Sequence, residues 1–385
     1  MERLTALELA SGIVTGAGPA PLLAPGETSP VETSPAEMLC AAVLPALRDG
    51  PCLVSFSGGI DSSLVLAAAV RAAREHGLPA PIPVTWTFHD APAADETRWQ
   101  EQVVAELGIS DWERVEAAEG ELDLIGPVAT EVLARHGVLQ PANAFLHLPL
   151  LRRAAPGTLL TGVGGDQVLG LWRWREAAAV LRRERPLRPA TALAVGLSRA
   201  PLAVRARVEL HRDATASPWL RIEADVRVRR AIALEVAAEP ARWDRRLPWR
   251  AARRELLLGV ASLERLAADA GATVSQPLLH PAFLAALARA GGRHGAGSRA
   301  DTTVALLGEL LPSVLRQRRG KAHFDEVFWR AGSRVAMRSW DGEGVDRSLV
   351  DPLALMRVWR GPQLHPRTAF LLQQVWLAQH APAAS

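Results

Sequence analysis

The 385-residue sequence has no tyrosine, two cysteines and a single lysine, Lys321, against 43 arginines. Without tyrosine there is no phenolate base. Cys40 and Cys52 form neither a C-x-x-C pair nor a zinc-ligand spacing, which excludes a thiolate metal site and makes a disulfide framework an unfitting reading. Any metal must therefore take oxygen ligands. No apolar run reaches the roughly 18 residues of a membrane span, because Arg199 interrupts the best stretch at 189–204, and Met1-Glu2-Arg3 opens no signal peptide. These absences predict a soluble, cytoplasmic protein without a membrane span. What is present is 49% hydrophobic and 22% charged residues with a net charge of +3. That composition buries a large core and excludes disorder, collagen and coiled coil.

The lone lysine is informative. A chain that places arginine wherever a generic positive charge suffices keeps lysine where a compact ammonium is needed, unless one codon has merely survived drift. Charge is also unevenly distributed: residues 171–260 hold 20 Arg and 10 acidic residues, an excess of ten, so the remainder carries −7. Such polarity suits an acidic partner or substrate, and it equally suits helix surfaces lined with solvated arginines.

Residues 1–33, rich in Gly, Pro, Thr and Ser from Thr15 onward, read as a loosely ordered leader. Ser34, Pro35 and Glu37 form a capping-box start for a helix to about Arg48, which Asp49-Gly50-Pro51 stops. Leu53-Val54-Ser55-Phe56 reads as a buried strand, and a helical run from Leu64 to Glu75 ends at Gly77. The theme recurs as strand 82–88, helix 94–107, strand 112–116, helices near 124–135 and 142–154, and strand 158–161. Alternation of this kind predicts an α/β fold, a parallel sheet with helices on both faces. After Gly170 strand signals stop and a largely helical half is expected. The predicted organisation is a nucleotide-binding core over 34–170, a helical substrate region over 171–340 and a C-terminal segment over 341–385. Trp172 and Trp174 fit either a channel wall or the core.

Between the first strand and its helix lies Ser57-Gly58-Gly59-Ile60-Asp61-Ser62-Ser63. Two glycines at a strand end let backbone N–H groups converge on a phosphate, the helix adds its positive end, and the serine hydroxyls are further donors. Neither a Walker A nor a G-x-G-x-x-G fingerprint is present. Asp61 inside such a loop makes sense when a divalent cation bridges it to a polyphosphate.

This S-G-G-x-D-S-S loop resembles the pyrophosphate loop of ATP pyrophosphatases, which split ATP into AMP and pyrophosphate while adenylating a carboxylate or other oxygen. Three further segments resemble the asparagine synthetase branch. Thr161-Gly162-Val163-Gly164-Gly165-Asp166 is similar to its S-G-x-G-x-D turn, whose acid pairs with the loop aspartate to hold magnesium, so the resemblance implies Asp61 and Asp166 as Mg²⁺ ligands. Ser275 to Pro281 is similar to its P-F-L-D turn, with His280 in place of the acid. Leu311 to Phe324 resembles the stretch that carries its catalytic lysine, which falls on Lys321. The resemblance thus implies ATP and Mg²⁺, with Lys321, Asp61 and Asp166 catalytic and Ser57, Gly58, Gly59, Asp61, Ser62, Ser63, Phe88 and Gly162 binding the nucleotide.

Two departures narrow the branch. Residue 2 is Glu where asparagine synthetases carry a glutaminase cysteine, so no glutaminase is expected in this chain. Val163 occupies the position of a Glu in asparagine synthetases and a Tyr in β-lactam synthetases. The sequence is closest in pattern to the lasso-peptide macrolactam synthetases, which adenylate an Asp or Glu side chain of a ribosomal peptide and close a ring with its N-terminal amine. That resemblance implies a peptide substrate, a leader-binding protein and a leader peptidase as partners. An ammonia-dependent asparagine synthetase-like ligase and a tRNA-modifying pyrophosphatase stay open, the latter and any nucleic-acid partner disfavoured by the lack of a reactive cysteine. His147, His280 and His323 are the histidines to consider as bases, and none is singled out.

Overall fold

The Ser34 capping box closes as its spacing demands: the Glu37 N–H donates to Ser34 Oγ at 3.1 Å and the Ser34 N–H to Glu37 Oε2 at 2.7 Å. Helix Pro35–Arg48 follows, then strand β1 (Cys52–Ser55), helix Ile60–His76 and strand β2 (Ile82–Thr87). Helix Thr97–Glu106 leads to β3 (Glu113–Glu116), and helices Pro127–His136 and Leu148–Ala154 lead to β4 (Thr158–Leu160). These elements lie within a few residues of their expected limits. The chain is seen in a computed structural model that describes residues 3–18, 33–88, 90–170, 172–212, 217–317, 324–362 and 365–380.

All strand pairs among the described residues are parallel, in the order β3-β2-β1-β4-β5. The fifth strand, β5 (Thr273–Ser275), corrects the expectation that strands end before Gly170: Leu159 sits beside Val274. Three half-exposed residues at a sheet edge are too few to carry an alternating pattern. Side chains alternate between two cores. Leu53 and Leu159 face a cluster that includes Val84, Phe145 and Leu148, while Val54 and Leu160 face Leu39, Leu64 and Phe283. Helices cover both faces, as a parallel sheet requires.

The order reverses between β1 and β4. From β1 the chain moves outward through β2 and β3, then crosses back to start β4 on the other side of β1. At such a switch point the loops after the two strands diverge and leave a crevice beyond the strand carboxyl ends. Both glycine turns read from the sequence leave the sheet there.

The helical half contains helices Ile222–Ala238, Trp243–Ala251, Arg254–Ala270 and Arg299–Leu307 among others. Trp172 and Trp174 are buried, donating their indole N–H groups to the carbonyls of Pro240 at 3.2 Å and Glu239 at 3.0 Å. Both belong to the core, and Trp172 also lines a cavity of about 500 Å³ beside Arg173 and Glu239. The reading of residues 1–33 as a loose leader is also corrected for residues 3–18. Helix Ala6–Ser11 is docked, with Glu8 paired to Arg254 at 2.9 Å and the Ala10 carbonyl accepting from Trp219 Nε1 at 2.8 Å. Its apolar face is too short for a periodic signal. Near the other end, helix Ala369–His380 buries Leu371, Leu372 and Val375 in the cluster that holds β2 and β3.

Candidate active site

A cavity of about 660 Å³ opens at the switch point, walled by both glycine turns, by Trp86 of β2 and Phe88 just past it, and by helix Arg254–Ala270. That volume suits a nucleotide-sized ligand with part of a second substrate. The loop after β1 is stitched by its own polar groups. The Ser57 N–H donates to Ser62 Oγ at 3.2 Å, Ser62 Oγ donates to the Gly59 carbonyl at 3.2 Å, and Gln100 Nε2 holds the Ser57 carbonyl at 3.1 Å. Gly58 adopts φ +81°, and a Cβ there would lie 2.8 Å from Gln100 Cγ. Gly59 caps helix Ile60–His76 through its backbone alone, with no side-chain cap bond at the N-cap. A helix end in that state is a ready anion site.

The second turn lies against the first. A Cβ on Gly162 would stand 2.8 Å from the Ser62 nitrogen, and one on Gly165 would stand 2.2 Å from Asp61 Cγ. Only glycine lets the two backbones approach so closely. The result brings Asp61 and Asp166 to one guanidinium: Arg299 Nη2 reaches both Asp61 oxygens at 2.7 Å, and its Nη1 bonds Asp166 Oδ1. Arg299, at the start of its helix, is absent from the sequence reading. Ser298 and Asp301 mark that helix start with a capping box, yet nothing local says which of 43 arginines meets two aspartates.

Two carboxylates sharing one cationic partner are close enough to share a metal ion. Among the described residues no three His, Cys, Asp or Glu side chains are grouped to hold a metal. The donor set is thus two hard oxygen ligands with open positions, which fits Mg²⁺ completed by phosphate oxygens and water.

Of the residues expected at the site, Ser57, Gly59, Asp61, Ser62, Phe88, Gly162 and Asp166 line the cavity. Phe88 packs edge-on against Phe324 with ring centroids 6.0 Å apart. Gly58 lies behind the loop against Gln100. Ser63 departs from expectation, since its hydroxyl is fully buried in the first turn of the helix and does not reach the cavity. Lys321 and His323 lie outside the described residues. His280 is exposed at a helix start away from the cavity, whereas His147 lines it. Burial pushes the His147 imidazole down to about 4, and its Nδ1 lies 3.3 Å from the Ala144 carbonyl.

Two further residues escape sequence reasoning. Arg246, 1% exposed, donates to the carbonyls of Val168 at 2.9 Å and Gly170 at 3.1 Å and to Glu239 at 3.1 Å, clamping the helix that carries Asp166. Glu255 lines the cavity opposite the turns, its carboxyl raised above the ordinary range by burial and then by nearby Glu235. Both cysteines are buried, and burial raises their thiols to about 11 for Cys40 and about 12 for Cys52, so neither is set up as a nucleophile.

Comparison with known protein families gives a match over residues 36–381 to the family described as asparagine synthase. No curated protein matches the chain.

Proposed function

The chain belongs to the asparagine synthase family, whose members are ATP-dependent amide-forming ligases, and on that premise we propose that it joins an amine to a peptide carboxylate through an acyl-adenylate. The polyphosphate of ATP lies on the loop Ser57–Ser62 and the N-terminus of helix Ile60–His76, with the base toward Phe88. Asp61 and Asp166 would hold a divalent cation, which when bound offsets the negative charge of the phosphates. The substrate carboxylate attacks the α-phosphorus, pyrophosphate leaves, and Lys321 supplies its compact charge to the departing group. An amine then displaces AMP.

The carrying observation is the wall beyond the phosphate turns. Val163, Leu146, Leu150, Leu256 and Leu263 line much of the cavity, with Gln140, Asn143 and Gln167 as polar groups among them, so it offers more apolar surface than a free amino acid would fill. An apolar wall suits a peptide whose side chains fill it, with one Asp or Glu side chain presented to ATP and its own N-terminal amine closing a macrolactam. The positive 171–260 region would guide an acidic peptide or the protein delivering it.

The test is product analysis. ATP, Mg²⁺ and an acidic precursor peptide should yield AMP, pyrophosphate and a peptide lighter by one water, read by mass spectrometry. Formation of ADP would refute the adenylation reading. Unmodified peptides together with asparagine from aspartate and ammonium would replace the macrolactam with an ammonia-dependent asparagine synthetase.

A further inference from the structure

Amide formation needs a proton acceptor, because an amine reaches the site as an ammonium and cannot attack until it loses a proton. The residue that replaces a polar side chain in the glycine turn, Val163, cannot serve. Three carboxylates line the cavity: Asp61, Asp166 and Glu255. The first two are tied to Arg299, which leaves Glu255.

Its position follows from helical periodicity. Glu255, Leu256, Gly259 and Leu263 line the cavity from one face of helix Arg254–Ala270, and Gly259 leaves room one turn beyond the carboxylate. Three arginines lie close in sequence, yet each is engaged elsewhere. Arg250 pairs with Glu239 at 2.8 Å, Arg253 donates to the Trp249 carbonyl at 3.0 Å, and Arg254 pairs with Glu8. Glu235, facing from helix Ile222–Ala238, accepts from the Gly16 N–H at 2.6 Å. Among the described residues Glu255 makes no hydrogen bond or ion pair, an unusual state for a carboxylate amid so many cations. Its side chain is accessible, so a ligand in the cavity can reach it.

We propose that Glu255 is the general base of the amide-forming half-reaction, an assignment that rests on the acyl-adenylate reading. One ammonium proton moves to the Glu255 carboxylate and the freed nitrogen lone pair forms the C–N bond to the acyl carbon. The bond from that carbon to the AMP phosphate oxygen breaks, and AMP leaves with the electron pair. The second proton departs from nitrogen to water as the adduct collapses. Glu255 also offers the incoming ammonium a counter-charge, so it orients the nucleophile before deprotonating it. Its raised pKa, with Glu235 raising and Arg250 lowering it, makes it a stronger base than an ordinary surface carboxylate, whereas His147 is weakened.

The experiment separates the two half-reactions. Free aspartate, free glutamate and peptides with a free amino terminus and an internal Asp or Glu are screened for ATP–pyrophosphate exchange, and the most active is used with Glu255→Gln. Exchange should stay within about threefold of the unmutated protein, and amide formation should fall by about 10²–10³, within the range of a lost general base. Hydroxylamine, which is unprotonated at neutral pH, should capture the acyl-adenylate as hydroxamate equally well in both proteins. Glu255→Asp should restore part of the amide rate, and the acid limb of its pH profile should disappear in Glu255→Gln. Undiminished amide formation in Glu255→Gln overturns the assignment and leaves the adenylation reading intact. Equal loss of exchange, hydroxamate and amide in a folded variant also overturns it, making Glu255 structural. Absence of exchange in the unmutated protein with every acid removes the parent reading, and the base with it.

Discussion

His147 shows how a single side chain in this site makes stability depend on acidity. Its pKa falls from 6.5 to about 4 because burial disfavours the imidazolium. The unfolded chain therefore binds more protons between those values, so stability is complete above about pH 6.5 and declines as pH falls toward 4. The loss, complete only below pH 4, amounts to about 3.5 kcal/mol at one pKa unit per 1.4 kcal/mol. Urea unfolding at pH 7 and pH 5 should reveal a smaller drop for His147→Gln than for the unmutated protein, and equal drops would place the titration elsewhere. The same physics keeps both cysteines inert. Raised thiols with only 7% of their surface exposed are poorly suited to the sulfur chemistry that a tRNA-thiolating enzyme would need.

Elements position the site by contact between turns. Gly165 is the critical position, because its missing Cβ is what allows Asp61 to sit beside the second turn. Gly165→Ala should push the Asp61 carboxylate away and lower adenylation, measured as pyrophosphate exchange, by at least about tenfold while melting within a few degrees of the unmutated protein. Retained activity would mean the turns can part without cost. Each turn is legible in the sequence because it is contiguous: strand, glycines, carboxylate, helix. Their meeting is not legible, since Arg299 lies 238 residues from Asp61 and 133 from Asp166, and no local pattern encodes such separations. Arg246 and Glu255 are hidden for the same reason: each looks like an ordinary helix charge until the fold buries Arg246 behind the Asp166 turn and brings Glu255 to the cavity. The edge strand β5 is missed for a different cause: it is as short as β4 but lacks β4's fully buried, apolar character, leaving no signal. The helices and the four longer-signalled strands are read correctly because capping boxes, Gly77 and alternating faces are properties of the segment itself.

Across the whole molecule, the docked N-terminal helix ties distant parts together. Deleting residues 1–18 would strip Glu8 from Arg254, both only about a tenth exposed at 11% and 13%, and would orphan the Trp219 indole. Stranding a buried charge and a donor costs roughly 3–5 kcal/mol, which should appear as a lower urea midpoint; an unchanged midpoint would show the helix to be dispensable. Gly12 ends that helix with its Cα pressed against the chain at Arg367, where a Cβ would fall 1.9 Å from the carbonyl oxygen. The partners of residues 6–12 thus lie at positions 219, 254 and 367. A ribosome makes the helix well before its seat, so during synthesis this segment waits, unpartnered, until residue 367 has emerged. Loop closure over such separations is entropically slow, and the final docking of the earliest residues becomes a late step in the protein's maturation.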